Sequence, residues 1–314
     1  MENKRAALER AFQRGGQLTL KNPVYRQWIE RFIVDELQAD VGRKGDITSR
    51  AVIPRRSALK AVIITRQAGV LAGMEEACFL FRKNGLRPAA KKKDGGRIRK
   101  GEVVLEIFGN TRDLLRVERS AVDLLQRMSG IATLTQEVIS LIKNNVPVAP
   151  TRKTQWRYLD KKAVFIGGGM THRLALWESV LIKDNHLYAL RRLGVKDPIA
   201  ASLGKAWKKR KLANFIEIEV ATMKEALHAA EVMRKLRKPG DACLVMFDNM
   251  NPRQMKRTLE ELERKHLRDG LLFEASGGIT PKNVREYASS GVDVISMGFL
   301  THSVPALDMC MLIV

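Results

Sequence analysis

The sequence predicts an α/β protein in which an α+β layer is followed by a parallel sheet covered by helices. From about residue 146 onward, short apolar runs recur, and each ends in polar or glycine residues and precedes a stretch with helical spacing. Nearly continuous apolar strands that alternate with helices are typical of a parallel sheet, either open and doubly wound or closed into a barrel. We favour the α/β barrel, because polar residues collect at the carboxyl ends of the runs, where barrels carry functional residues.

The first part of the chain lacks this alternation and indicates a separate α+β layer. Its segments predict strands over 58–67 and 101–108 and helices over 74–84 and 113–142, with glycine-containing turns between them. The expected domains are a basic N-terminal arm over 1–26, an α/β sandwich over 27–121, the catalytic barrel over 122–300, and a C-terminal segment over 301–314 that returns toward the N-terminal domain.

The apolar runs of the second part are VPVAPTRK, SVLIKDNH, NFIEIEV, CLVMFDN, LLFEASGG and VDVISMG. Amphipathic segments bordered by proline or glycine separate several of them, as expected for the helices of a barrel. The run ends carry Lys153, Lys183, Glu219, Asp248, Ser276 and Gly298. We therefore expect these residues to meet at the mouth of the barrel.

The charge of the chain indicates anionic partners. Lys and Arg number 56 against 34 Asp and Glu, which gives a formal net charge of +22. Such a charge suits nucleic acid, an acidic membrane surface or small polyanions such as phosphates. The basic runs at 91–100 and 206–211 are typical of solvated turns or helix faces.

Composition also bounds location and redox chemistry. No apolar run reaches the roughly 18 residues of a membrane span, and the first residues lack the apolar region of a secretory signal, so a cytoplasmic location is expected. Cys78, Cys243 and Cys310 lie far apart without zinc-ligand spacing. We interpret them as reduced core residues.

Glycines and cations at the run ends predict a phosphate-binding site and a strongly anionic substrate. ASGGIT and SMGFLTHS end two consecutive runs, where barrels often hold a phosphate with backbone N–H groups. From 151 to 186 the chain has seven Lys or Arg and three Asp or Glu, a formal +4. Glu219 and Asp248 either hold Mg²⁺, stabilise positive charge in a transition state, or merely neutralise neighbouring lysines.

Ten segments in order resemble the quinolinate phosphoribosyltransferase family (nicotinate-nucleotide pyrophosphorylase, carboxylating). From residue 45 to the C-terminus they are GDITS, GVLAGMEEA, ERSAVDLLQRMSGIAT, TRKT, GGGMTHR, VLIKDNH, IEIEV, FDN, EASGGI and GVDVISMGFLTHSVPALD. The resemblance implies an N-terminal α+β open sandwich and an incomplete, six- or seven-stranded α/β barrel of the type II phosphoribosyltransferase kind. It also implies a homodimer with shared active sites.

The reaction implied is that of quinolinate with phosphoribosyl pyrophosphate, which gives nicotinate mononucleotide, pyrophosphate and CO₂ with Mg²⁺ in de novo NAD synthesis. The resemblance implies that the quinolinate carboxylates are bound by Arg152, His172, Arg173 and, from the neighbouring subunit, Arg119, and that Thr151 also binds substrate. The 5′-phosphate site would contain Ser276, Gly277, Gly298 and His302. The implied catalytic residues are Lys153, Lys183, Glu219 and Asp248, of which Glu219 and Asp248 would bind the metal.

Two departures and two alternatives accompany the resemblance. Pro150 stands where many relatives carry an acidic residue, and the loop after Thr154 is shorter than the family's usual version. A ModD-like paralogue associated with molybdenum transport would transfer phosphoribosyl to another acceptor. A basic nucleic-acid-binding protein without activity is the more remote alternative, and no specific nucleic acid or membrane partner is expected.

Overall fold

The structure is a computed structural model that describes residues 4–314. The chain divides into two compact units. The parallel-sheet unit comprises the described residues up to Arg14 together with Glu137–Arg157 and Gly169–Ser303. The antiparallel-sheet unit comprises Gly15–Gln136, Tyr158–Gly168 and Val304–Val314. Within the described residues, no helix combines the length and the apolar character that crossing a membrane requires.

Helices and strands alternate along most of the chain. The α-helices are α1 Lys4–Phe12, α2 Pro23–Val41, α3 Ile47–Val52, α4 Met74–Lys83, α5 Thr111–Leu141, α6 Tyr158–Ile166, α7 Asp184–Arg192, α8 Pro198–Trp207, α9 Met223–Leu236, α10 Pro252–Arg264, α11 Val284–Ala288 and α12 Phe299–His302. The strands are β1 Ala58–Thr65, β2 Gly69–Val70, β3 Arg87–Ala90, β4 Arg97–Ile98, β5 Val103–Asn110, β6 Val148–Ala149, β7 Val180–Ile182, β8 Ile216–Val220, β9 Cys243–Asp248, β10 Leu272–Ser276, β11 Val294–Ser296 and β12 Met309–Ile313. Short 3₁₀ helices cover Gly15–Gln17 and Arg210–Leu212.

Six parallel strands form the sheet of the parallel-sheet unit, in the order β6-β11-β10-β9-β8-β7. The predicted α/β architecture is confirmed, and the end strands β6 and β7 are not paired to each other within the described chain, as in an incomplete barrel. Side-chain caps begin the helices that follow two central strands. Thr222 accepts a hydrogen bond from Glu225 N–H at the start of α9, and Asn251 does so from Gln254 N–H at α10.

Helix α1 packs at the amino-terminal edge of this sheet. Leu8 and Phe12 are buried with Leu244 and Leu272 in one hydrophobic cluster, and these two leucines lie at the beginnings of strands β9 and β10. Lys4 Nζ, at the other end of α1, lies 3.0 Å from Asp293 Oδ1. Within 1–26, for which the sequence indicates a basic arm, the described residues thus form α1 and the start of α2; residues 1–3 lie outside the described part.

The antiparallel-sheet unit contains a four-stranded sheet in the order β12-β1-β5-β3, in which each neighbouring pair is antiparallel. The predicted strands near 58–67 and 101–108 and the predicted helices near 74–84 and 113–142 are confirmed as β1, β5, α4 and α5. All three cysteines are free thiols. Cys78 and Cys243 are buried as predicted, whereas Cys310 on β12 is partly exposed.

Helix α6 carries a buried row of charges, Asp160, Lys161 and Lys162. Lys162 Nζ lies 2.5 Å from Glu75 Oε2 and 2.6 Å from Glu76 Oε1, and Tyr25 donates its hydroxyl hydrogen to Glu76 at 2.8 Å. Because the Lys162 side chain is 8% exposed and that of Glu76 is fully buried, each charge depends on its partner for stability. The ion pairs therefore tie α6 to α4.

Replacement of Lys162 by methionine should destabilise the protein by about 3 to 5 kcal/mol, because the buried carboxylates lose their counter-charge. Chemical denaturation would measure the free energy of unfolding. Lys83→Met is the matched control: it removes the exposed pair with Glu30, and screening by water should make its effect much smaller. Equal losses for the two variants would show that the cluster is not what stabilises α6.

Candidate active site

A cavity of about 580 Å³ opens in the parallel-sheet unit, at the edge where its strands end. The structure brings together in its lining every residue proposed for the site except Arg119, namely Thr151, Arg152, Lys153, His172, Arg173, Lys183, Glu219, Asp248, Ser276, Gly277, Gly298 and His302. Parallel strands explain this convergence, since their carboxyl ends share one edge. The volume is that of a small-molecule site.

Arg119 lies elsewhere. It is on α5 in the antiparallel-sheet unit, where its side chain is 62% exposed and its Nη1 lies 3.2 Å from Asp123 Oδ1. The resemblance assigns it to the site of a neighbouring subunit, and its exposed position leaves it available for such a contact.

Two carboxylates form the acidic wall of the cavity. Glu219 on β8 is 6% exposed and accepts a hydrogen bond from Lys183 Nζ at 2.8 Å. Asp248 ends the neighbouring strand β9, and its Oδ2 accepts a hydrogen bond from Asn249 at 2.7 Å. Of the interpretations left open by the sequence, neutralisation of a lysine therefore describes Glu219 in this state, whereas Asp248 is hydrogen-bonded to the neutral amide of Asn249.

Arg173 and Arg152 form the cationic side. Arg173 is 5% exposed and donates one hydrogen bond from Nη1 to the carbonyl of Ser179, while its Nε has no acceptor within the described residues. Burial lowers the pKa of the Arg173 guanidinium, and the positive charge of Arg152 lowers it further. A buried cation with an unused donor and a cationic neighbour favours an anionic ligand.

Glycines at two strand ends allow the chain to pack closely around the cavity. Gly277 has a φ of +92°, and a Cβ there would lie 2.4 Å from the side chain of Asn249. A Cβ on Gly298 would lie 3.0 Å from the His302 ring and 3.2 Å from Thr151 Oγ1. Ser276 accepts a hydrogen bond from Ser296. A larger residue at either glycine would therefore displace side chains that line the cavity.

Sequence reasoning missed a buried acidic pair at the floor of the cavity, where Glu274 forms part of the lining. Glu217 and Glu274 are both fully buried, and His172 Nε2 lies 3.6 Å from the first and 3.2 Å from the second. Burial raises the pKa of Glu217 well above its ordinary range, and the negative charge of Glu274 raises it further. A partial signal existed, because Glu217 and Glu219 alternate with isoleucines on β8 and so share one face of the strand.

Other lining residues were missed although they stand inside the quoted motifs. They include Asn249, Gly278, Thr280 and Phe299. Asn249 has a left-handed backbone with a φ of +54°, and its N–H donates to the Ser276 carbonyl at 2.9 Å. This contact joins the ends of β9 and β10, and the position of Asn249 directly after the strand in FDN was the signal available.

Most of the chain that carries this cavity matches the models of one enzyme family. Residues 46–129 match the model of the quinolinate phosphoribosyl transferase N-terminal domain, and residues 131–312 match that of its C-terminal domain. The chain therefore belongs to the quinolinate phosphoribosyl transferase family.

Relatives and solved structures agree with this assignment. A probable nicotinate-nucleotide pyrophosphorylase (carboxylating) of Methanothermobacter thermautotrophicus is 40% identical over 291 residues, covering 88% of this chain and 96% of the relative. One of Bacillus subtilis is 36% identical over 280 residues, covering 87% and 89%. The crystal structure of NadC from Streptococcus pyogenes superimposes with a TM-score of 0.78 at 28% identity, covering 91% of this chain and 97% of that one.

Proposed function

We propose that this chain is a decarboxylating quinolinate phosphoribosyltransferase, which forms nicotinate mononucleotide, pyrophosphate and CO₂ from quinolinate and phosphoribosyl pyrophosphate in NAD synthesis. The family and the names of its relatives support the proposal. The observation that carries it is the charge pattern of one cavity, in which cations surround an acidic pair. That pattern suits two anionic substrates and a reaction that builds positive charge between them.

Arg152 and Arg173 are proposed to bind the carboxylates of quinolinate. The guanidinium fork matches a carboxylate with two parallel hydrogen bonds, and the Arg173 Nε is a donor without an acceptor in the described residues. Burial lowers the pKa of Arg173, and repulsion by Arg152 lowers it further. A dicarboxylate would replace this repulsion by attraction, which favours quinolinate over a monoanionic acceptor.

The opposite side of the cavity is proposed to hold phosphoribosyl pyrophosphate. The strand ends with Ser276, Gly277, Gly298 and His302, which all line the cavity, would bind the 5′-phosphate with backbone N–H groups and side-chain donors. Lys153 and Lys183 would face the pyrophosphate. Glu219 and Asp248 would bind the ribose hydroxyls and lie near the reacting carbon.

The chemistry follows from these charges. The bond between ribose C1 and pyrophosphate breaks with its electrons leaving on pyrophosphate, while Lys153 and Lys183 stabilise the leaving group. Glu219 and Asp248 stabilise the positive charge on the ribose, and the pyridine nitrogen donates its electron pair to C1. The bond to the adjacent carboxylate then breaks as CO₂ leaves, the ring accepts its electrons, and a solvent proton replaces the carboxylate. No protein base is needed.

Mg²⁺ is part of this proposal, and the donor set fits it. Magnesium is usually held by one or two carboxylates together with substrate phosphate oxygens and waters. Glu219 and Asp248 supply two carboxylates on adjacent strands of the same cavity. When bound, the ion would supply positive charge to the leaving pyrophosphate. Lys183 would then give up its hydrogen bond to Glu219 and turn toward the substrate.

The experiment that tests the function is an assay of CO₂ release from carboxyl-labelled quinolinate with phosphoribosyl pyrophosphate. The wild type should release CO₂ only when both substrates are present. In Arg152→Ala the affinity for quinolinate should fall at least tenfold, because a bidentate charged contact contributes about 1.5 to 3 kcal/mol. Arg192→Ala, an exposed arginine outside the cavity, is the control and should retain wild-type kinetics.

Two results would contradict these assignments. A wild type that ignores quinolinate but transfers phosphoribosyl to another acceptor would be the ModD-like paralogue. Unchanged quinolinate kinetics in Arg152→Ala would remove Arg152 from the substrate site while leaving the activity itself in place.

The metal assignment has its own test. Combined Glu219→Gln and Asp248→Asn substitutions should abolish Mg²⁺-dependent turnover, because the amides offer weaker ligands and no charge for the ribose. Titration calorimetry of Mg²⁺ with phosphoribosyl pyrophosphate present should also lose its signal. Glu231→Gln changes an exposed glutamate of α9 and is the control. A double variant with normal turnover would refute the assignment.

A homodimer with shared sites is the last part of the proposal, and it rests on the family together with the exposed Arg119. Arg119→Ala and Arg152→Ala should each lose at least tenfold in activity at quinolinate concentrations below the KM. Co-expressed and purified as a mixed dimer, they should recover activity, because one of the two sites then combines an intact Arg152 with an intact partner arginine. A monomer, or a mixed dimer no more active than its parents, would contradict the shared site.

A further inference from the structure

The His172 ring joins the buried end of helix α1 to the substrate cavity. It lines the cavity, yet the residue is 5% exposed. Its ring centroid lies 4.0 Å from that of Phe12 at the end of α1 and 5.4 Å from that of Phe215. The ring is therefore packed from below by aromatic side chains.

Both ring nitrogens of His172 face the protein. Nδ1 accepts a hydrogen bond from the backbone N–H of Arg173 at 2.7 Å. Nε2 lies 3.2 Å from Glu274 Oε2. A neutral ring whose Nδ1 accepts a hydrogen bond carries its proton on Nε2, which is the ring nitrogen next to the Glu274 carboxylate. The ring thus lies between Glu274 and the Arg173 backbone, and it is hydrogen-bonded to the latter.

The backbone at this point needs such support. His172 has a φ of +53°, a left-handed conformation that side chains other than glycine seldom adopt and that persists where the surroundings impose it. The preceding residue, Thr171, donates from both its N–H and its hydroxyl to the Phe12 carbonyl, at 3.1 and 2.6 Å. The end of α1 therefore holds the turn from which Arg173 emerges.

We propose that Glu274 and Phe12 are positioning residues, which fix the His172 ring and through it aim Arg173 at a substrate carboxylate. The inference rests on the proposed function, because Arg173 is taken as a quinolinate ligand. Glu274 borders the floor of the cavity and Phe12 lies outside its lining, and both are fully buried; in this scheme each acts on the His172 ring and not on the substrate. Helix α1, which the sequence left without a role, becomes part of the specificity for the acidic acceptor.

The alternatives explain less. His172, Glu217 and Glu274 have ligand atoms close enough to hold a metal, but the Nε2 proton and the neighbouring Arg173 charge disfavour a cation there. A purely structural role for the cluster would not explain why the ring also accepts a hydrogen bond from the backbone N–H of Arg173, the residue that enters the cavity.

Steady-state kinetics of variants test the proposal. Glu274→Leu and Phe12→Leu should each raise the KM for quinolinate about tenfold while the KM for phosphoribosyl pyrophosphate changes less than about twofold, because only Arg173 is displaced. Glu274→Gln keeps the shape of the side chain and an oxygen that can face the Nε2–H group, so its KM for quinolinate should stay close to that of the wild type. Leu8→Ala, in the same buried cluster of α1, should lower the Tm without raising the KM for quinolinate.

Several outcomes would contradict the proposal. Equal rises in both KM values, or a rise in Leu8→Ala matching that in Phe12→Leu, would indicate general destabilisation and overturn it. Long-range ¹H–¹⁵N spectra of the wild type supply a readout that needs no activity: they should give a neutral His172 ring protonated on Nε2, and protonation on Nδ1 would overturn the inference. A wild type without quinolinate activity would remove the proposed function, while the spectra would still decide the ring arrangement.

Discussion

The parallel pairing of six strands is the constraint on which the rest of the structure depends. Strands that run the same way end at one edge, so a polar residue placed after any of them is delivered to the same place. Ser276 pairs in register with Asp248, and residues as distant along the chain as Arg152 and His302 line one cavity. Any shift of a strand by one residue would turn its alternate side chains away from that edge.

The cavity contains a buried cation without a salt-bridge partner in the described part of the chain and a carboxylate that is paired with a lysine. Arg173 is buried with an unused donor and a repelling neighbour, whereas Glu219 is matched by Lys183 at 2.8 Å. An unmatched buried cation is stabilised when an anion arrives, and a matched pair can exchange partners when a metal and a phosphate arrive. The same protein environment thereby serves both an acidic acceptor and a phosphorylated donor.

Much of the fold could be predicted from local pattern. Apolar runs followed by helical spacing marked the parallel strands, and glycines after β10 marked the turn at Gly277, whose φ is +92°. Charged residues were harder, because a row such as Asp160, Lys161 and Lys162 has the composition of a solvated helix face. Lys162 pairs with Glu75 and Glu76, and Asp160 pairs with Arg127. These partners lie far away in the sequence, so local pattern cannot reveal them.

The sequence by itself determined which residue types stand at the strand ends, and therefore the chemistry of the site. Only the tertiary structure decided how deep each side chain lies. Glu217 and Glu219 share one face of β8 by simple alternation, yet one is fully buried beside Glu274 and the other meets Lys183 at the cavity wall. Depth depends on what packs above and below the strand, and here helix α1, distant in sequence, supplies the floor.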